Sequence, residues 1–407
     1  MIHTSHSSVL KPDDNKPTYL TTLEKDISNL KNDFLIDRSV IFLNHGSFGA
    51  CPRPVFEIYQ DWQRQLERQP VEFLGRRAID LLADARGELA QYLNVDTDDV
   101  VYFSNPTTAI NMVARSLNLQ PGDEILATDH EYGAMDRTWR YVCERTGAKY
   151  LQQSIHLPVT NKEDFLESFW EGVTPRTRVI FISHITSPTA LTFPVTEICQ
   201  RARMAGLISI VDGAHAPGHI PLDLMAIDAD IYTGACHKWL CAPKGSAFLY
   251  AHKDIQPILV PLVVSWGYQS EKPGSSQFID YHEWQGTRDL AAFLSVPSAI
   301  HYQEENSWGM VRERCHDLAC QARSEINRLT NLDALSPDSP DWFYQMVTAR
   351  LPSEFDHELL KERLYNEYKI EVLSHLWQDQ PFIRLSFQAY NDASDLDKLV
   401  EALKEII

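Results

Sequence analysis

Residues 232–250 read YTGACHKWLCAPKGSAFLY, and in them an imidazole and a primary amine stand side by side, His237 and Lys238, where an apolar run gives way to a turn. A lysine is ordinarily a solvated surface charge; partly buried, with a lowered pKa, it becomes an amine nucleophile. The choice between these depends on its company. Upstream, Asp212 ends the apolar run LISIVD, and His215 follows three residues later in VDGAHAPGH. His184 lies in SHITSPT, His130 and Tyr132 in DHEYGAM, and Thr107 and Thr108 in NPTTAIN, each at the end of another apolar run. Singly, each has an ordinary explanation. An aspartate after a strand is a turn former, and a threonine at a helix start is a cap. His215 and His219 are four apart, but the proline and glycine between them argue against a helical metal pair. Lys244 rivals Lys238, yet it lies in a turn further from the aspartate run.

Strands must bring these residues together. Runs at 100–104, 124–128, 178–185, 207–212, 229–234 and 245–251 are continuously apolar, as strands buried on both faces are. Helices are predicted between them: PTTAINMVARSL, with Pro106 at a first helical position, and TEICQRARMAG at 196–206. Val55, Ile58, Trp62 and Leu66 recur at spacings of three and four, predicting an earlier helix that Pro70 closes. Alternation of this kind predicts an α/β domain with a mainly parallel sheet, whose ligands bind at the carboxyl ends of the strands. From about residue 295 the pattern changes to long helical stretches, then DWFYQMVTARLP and PFIRLSF as strands and a final helix at DLDKLVEALKEII. The expected division is a flexible polar arm at 1–20, a large α/β domain at 21–290 whose first residues could pack on the smaller part, and a small α+β domain at 291–407.

The chain has 407 residues, 44% of them apolar, enough for a substantial core. Its net charge of −19, from 37 basic and 56 acidic residues, argues against nucleic acid, which needs a basic footprint. A small anion could still bind in a locally positive pocket. The seven cysteines are odd in number, and Cys236/Cys241 and Cys315/Cys320 are too widely spaced for an ordinary zinc site; reduced thiols are expected. The first residues lack the apolar core of a secretory signal. The longest apolar run, ILVPLVV, is far too short to span a membrane. A cytoplasmic location is therefore expected. Neither GxGxxG nor GxxxxGK occurs, so dinucleotide and P-loop readings lose their main support.

Together, the strand ends put an aspartate, several imidazoles, a helix N-terminus and a lysine around one crevice. That set suits pyridoxal phosphate: the lysine for a Schiff base, the aspartate to keep the pyridine nitrogen protonated, the helix start for the phosphate. VDGAHAPG followed by HKW…PKG resembles class V aminotransferases of the pyridoxal phosphate fold type I. Within that class, FLNHGSFGACPRPV, TDHEYGAM, SHITSPTALTFPV, HKWLCAPKGSAFLY and QGTRD resemble the isopenicillin N epimerase-like branch. The resemblance implies a seven-stranded, mainly parallel sheet with helices on both faces. It implies Lys238 as the Schiff-base lysine, Asp212 at the pyridinium, and Thr107, Thr108 and His237 near the phosphate. His184 joins the cofactor-facing set, and His215 matches the position that reaches the ring's O3 oxygen. His130 matches the ring-stacking position, with Tyr132 as its rival. Thr287, in QGTRD, matches a residue that reaches the phosphate of a neighbouring subunit, which implies a homodimer. Arg384 matches the arginine that clamps the substrate carboxylate, a bidentate task suited to a planar guanidinium. Asn44 and His45 match the segment lining the substrate side.

Two departures stand out. Ala235 occupies a position where relatives often carry a serine or asparagine beside the phosphate. Cysteine desulfurases of the class place a nucleophilic cysteine shortly before the substrate arginine, whereas here no cysteine follows Cys320. The expected activity is chemistry on an α-amino acid through a Cα carbanion, with epimerisation favoured. Lys238 would serve one face, and Tyr132, His45 or His130 are the candidates for an acid on the other. A carbon–sulfur lyase and an aminotransferase are the alternatives. A non-catalytic cofactor-binding protein is disfavoured, since no basic DNA-binding segment is present. Arg76 and Arg77 are candidate further cations for an acidic substrate.

Overall fold

The computed structural model describes residues 29–407, so the arm expected at 1–20 lies outside the described residues. The first strand, β1 (Ile41–Phe42), pairs outside the main sheet. The main sheet holds β2 (Val100–Phe103), β3 (Glu124–Thr128), β4 (Lys149–Gln153), β5 (Thr177–Ser183), β6 (Ile208–Gly213), β7 (Ile231–Ala235) and β8 (Ala247–Ala251), in the order β2-β8-β7-β6-β5-β3-β4. β8 runs antiparallel to both neighbours, and every other pairing is parallel. This is the mainly parallel seven-stranded sheet of fold type I.

The apolar runs are continuous because both faces of the sheet are covered. Along β5, Val179 and Phe181 enter one core with Ile110 and Trp139, from helices Pro106–Ser116 and Gly133–Thr146. Ile180 and Ile182 enter the other with Ile198 and Ala202, from helix Val195–Met204. Each such valine, isoleucine or phenylalanine, fully buried, contributes roughly 1.5–3 kcal/mol. The sequence reading misses β4. It is an edge strand, KYLQQ, with no fully buried residue, so its polar positions hide it. The helix expected around Val55 spans Arg53–Arg68. Val55 and Leu66 are buried, but Ile58 is exposed. The helix stops at Arg68, with Gln69 out of the helical conformation before Pro70 as expected, and Pro70 also opens the next turn, Pro70–Glu72, at a position where its missing N–H costs nothing.

Beyond helix Trp308–Thr330, strands β9 (Met346–Arg350), β10 (Ile370–Glu371), β11 (Leu373–Trp377) and β12 (Gln380–Ser386) follow, and helix Ala393–Ile406 ends the chain. β9, β11 and β12 form an antiparallel sheet in the order β11-β12-β9. The strand expected across DWFYQMVTARLP begins only at Met346; Trp342 and Phe343 are buried in the turn before it. β1 pairs in parallel with β10, and Asn44 bridges to Ser386. The first described residues are thereby laid along the C-terminal strands. We propose that the division between the two parts falls in the helices from Ala291 to Thr330.

Candidate active site

The carboxyl ends of β5, β6 and β7 open on a cavity of about 170 Å³. Asp212, on β6, lies on its floor and is 4% exposed. Its Oδ1 accepts the Ala214 N–H at 2.9 Å. Burial raises its pKa, while that N–H and the nearby Lys238 charge hold it down. Lys238 follows β7 and extends into the same cavity, with Nζ 3.2 Å from His215 Nε2. Burial first, then the Arg384 charge, lowers its pKa to about 8, against the opposing pull of Asp212. At neutral pH only about a tenth of this amine is therefore unprotonated, still far more than for an exposed lysine.

His215 is set from behind. The Trp239 indole, which can only donate, reaches His215 Nδ1 at 3.1 Å. The neutral imidazole must then carry its proton on Nε2, the nitrogen facing Lys238. Burial, and next the Lys238 charge, hold His215 well below its usual pKa and so keep it neutral. Trp239 is itself clamped by a stacked His219 ring, 3.9 Å between centroids. At the other side of the cavity, Asn105 caps helix Pro106–Ser116, its side chain accepting the Thr108 N–H at 2.8 Å. The Thr108 hydroxyl is turned to the same Asn105 oxygen, so Thr108 serves the cap and Thr107 lines the cavity. At the second helical position the Thr107 N–H has no acceptor within the helix. His237 lines the cavity beside it, its Nδ1 bound to the Ser246 carbonyl at 2.9 Å.

The N-terminal segment closes the mouth. Gly49 has φ +69°, and a Cβ there would collide with the His237 carbonyl oxygen, so only glycine lets this segment sit against His237 and Lys238. Ser47 and Phe48, just before it, line the cavity. Arg384, on β12, is 2% exposed and donates to the Ser187 carbonyl at 2.7 Å, Ser187 Oγ at 3.1 Å and Ser47 Oγ at 3.3 Å. Its Nε has no partner among the described residues. Burial lowers its pKa to about 10; among the described residues no carboxylate offsets that burial, and Tyr132 alone opposes it.

Several expected residues lie elsewhere. The His130 ring is wholly enclosed between Phe193 and Trp377, with Nδ1 on Thr189 Oγ1 at 2.8 Å and Nε2 on the Ile155 carbonyl at 3.0 Å. Of the two rivals for the ring-stacking wall, Tyr132 lines the cavity and His130 does not. His184 also turns away, to Tyr232 Oη at 2.8 Å. The physical reason is the two-residue period of a strand. Ser183 is in register with Asp212 and shares its face, so His184 takes the other. Ser183, which lines the cavity, is a residue the sequence reading misses, and that register is the signal that could have found it. His45 is sealed behind Lys238, between Tyr390 Oη at 2.9 Å and the Lys238 carbonyl at 3.0 Å. Asn44 does not line the cavity; its Oδ1 accepts from Ser47 Oγ at 2.6 Å, so it supports the wall. Arg76 is exposed, and Arg77 pairs with Glu72 at 3.5 Å, both outside the cavity. Thr287 is exposed and outside its own chain's cavity. Ala235 is buried against β8 and offers no hydroxyl.

A buried carboxylate, an amine of lowered pKa, a neutral imidazole and a helix start line this cavity, with a buried guanidinium behind its wall on Ser47 and Ser187; these are the partners that a pyridoxal ring, its aldehyde, its phosphate and an α-carboxylate need. Comparison with known proteins agrees. The family model of class-V aminotransferases matches residues 52–399. The chain belongs to the class-V aminotransferases. Pyridoxal phosphate is the cofactor of this family and of this chain. The chain is 37% identical over 393 residues to an isopenicillin N epimerase of Amycolatopsis lactamdurans, covering 93% of this chain and 98% of that one. It is 27% identical over 435 residues to a probable chloroplastic L-cysteine desulfhydrase of Arabidopsis thaliana, covering 98% and 89%. A solved lyase variant with glycine covalently linked to its pyridoxal phosphate superposes with a TM-score of 0.76 at 22% identity, over 90% of this chain and 96% of that one. None of the described cysteines lines the cavity, and among the described residues no helix is long and apolar enough to cross a membrane.

Proposed function

We propose that this class-V enzyme epimerises an α-amino acid at Cα, with an isopenicillin N-like substrate as the first to test. When bound, pyridoxal phosphate supplies the electron sink that lets a Cα–H bond ionise. Lys238, as a neutral amine, takes and returns the Cα proton on its side of the cavity. The Tyr132 phenol is the proton-bearing group for the opposite side. Asp212 accepts the hydrogen bond of a protonated ring nitrogen, and His215 presents Nε2–H along the same floor. Thr107 and His237 hold the phosphate, and Arg384 pairs with the α-carboxylate. Thr287, exposed on its own chain, reaches the partner's phosphate in a homodimer.

The observation that carries this reading is that a lysine and a tyrosine line one cavity. Of the three candidates for a second acid, Tyr132 is the one whose side chain is there. The 37% identity to an epimerase supports the same choice. Carbon–sulfur lysis is the second reading, favoured by the 27% identity to a desulfhydrase; it needs a leaving group on Cβ but no second acid. Incubating the purified holoenzyme with amino acids in heavy water separates them. Deuterium at Cα with inverted chirality is the expected result; pyruvate with ammonia or sulfide overturns epimerisation in favour of the lyase.

A further inference from the structure

Behind the cavity floor lies a second buried carboxylate with no part in the reading above. Glu131 is 5% exposed. Its Oε1 accepts from Thr128 Oγ1 at 2.7 Å and its Oε2 meets Ser183 Oγ at 2.6 Å. The groups facing it are Thr128 on β3, Tyr150 on β4, Ser183 on β5, Asp212 on β6 and Asp136 on the helix after it; none is a cation. The adjacent His130 is kept neutral by burial. An isolated carboxylate in such a place is costly to ionise, and more so beside Asp212.

The hydrogen bonds say where a proton would sit. Thr128 Oγ1 accepts the His130 backbone N–H at 3.2 Å and gives its single proton to Glu131 Oε1. That leaves Oε2 to bear the acid proton, pointing at Ser183 Oγ. If Glu131 is ionised, Ser183 spends its proton on Oε2 and shows the cavity only lone pairs. If Glu131 is protonated, Ser183 accepts from Oε2 and its own proton is free to turn into the cavity beside Asp212.

We propose that Glu131 is a neutral acid in the working enzyme and acts as a positioning residue: it makes Ser183 a hydrogen-bond donor to the cavity and leaves Asp212 as the ionised carboxylate of the floor. Burial, aided by Asp212, holds Glu131 at about 8, which agrees with a proton retained at neutral pH. The inference rests on this cavity being the cofactor site, not on which reaction runs there.

The test is infrared difference spectroscopy of the full-length holoenzyme without substrate. The wild type is expected to show the carbonyl band of a protonated carboxylic acid at pH 6.5, fading as pH passes about 8. The band should vanish in Glu131→Gln and persist in Asp212→Asn. Ser183→Ala should keep the band but shift it, because the acid proton has lost its acceptor; that variant also keeps the test open should Glu131→Gln fail to fold. No acid band at pH 6.5, a band indifferent to Glu131→Gln, or one unmoved by Ser183→Ala overturns the proposal. As a second readout, Glu131→Ala should lose roughly tenfold in kcat, the scale of one buried hydrogen bond, with Glu131→Gln restoring most of it. Because the band is read without turnover, its absence would leave the epimerase reading intact.

Discussion

Two buried arginines in this chain are treated in opposite ways. Arg86, 6% exposed, gives its guanidinium to the Glu283 carboxylate and its Nε to the Thr97 carbonyl at 3.0 Å. Arg384, 2% exposed, meets only two serines, and its Nε meets nothing among the described residues. The lysines repeat the contrast. Lys253 is exposed, pairs with Asp96 at 3.0 Å, and is pushed above its usual pKa by that bond. Lys238 faces a neutral imidazole and is pushed down to about 8. A charge paired within the fold belongs to the fold. A buried charge left unpaired is a cost that only a bound ligand can offset. Lys238 lines the cavity and Arg384 stands behind its wall on Ser47 and Ser187, which is why we propose this cavity as the site.

The comparison can be broken in five ways. Lys238→Ala should lower kcat by about 10³-fold or more, the scale of losing a positioned general base, and borohydride should no longer fix the cofactor to the protein. A label found on Lys244 in the wild type would refute the assignment. Arg86→Ala strands the Glu283 carboxylate, so thermal unfolding should report a loss of about 3–5 kcal/mol, with KM of the remaining folded enzyme unchanged. Arg384→Ala should do the reverse: kcat/KM falls by about ten- to a hundredfold for every amino-acid substrate, while Tm does not fall and pyridoxal phosphate is retained. Arg384→Lys should also be poor, since an ammonium cannot make the planar two-point contact. A lowered Tm with normal kinetics would make Arg384 a structural residue like Arg86. Asp212→Asn should keep the cofactor but slow turnover by a similar ten- to hundredfold, one charge-assisted bond; wild-type rates would rule that role out.

The smallest expected effect is one of pH. Only the neutral amine captures an aldehyde, and burial shifts the Lys238 equilibrium toward it. Uptake of pyridoxal phosphate by apoprotein, followed by absorbance, should therefore rise with pH and level off above about 8. A profile still rising steeply toward the ordinary lysine range would show an exposed amine. Lys253→Ala should leave both that profile and Tm where they were.

Much of this was legible in the chain. Six of the seven main-sheet strands announce themselves because both their faces are largely buried, which favours apolar runs; β4, an edge strand with no fully buried residue, stays hidden behind its polar positions. That Asp212, Lys238, Thr107 and His237 line one cavity was legible because each lies at the end of such a strand or opens the helix after it. Three of the histidines lie outside that cavity. His130, His184 and His45 sit one or a few positions from residues that line the cavity, and each is held in the core by its own hydrogen bonds.

The sequence alone determined the class of sheet, the edge at which the cavity opens, and the amine and carboxylate that meet there, since these follow from local apolar patterning and strand ends. Only the tertiary structure decided which side of each strand end faces the cavity. A shift of one residue exchanges Ser183 for His184, and the register with Asp212 that settles it comes from a different strand. It also decided which buried charges are satisfied. Arg86 finds Glu283 across 197 positions of chain, and Arg384 finds Ser187 at the same separation but, among the described residues, no carboxylate. Pairing is a property of distances in space, and those are set when the two parts of the chain close on each other.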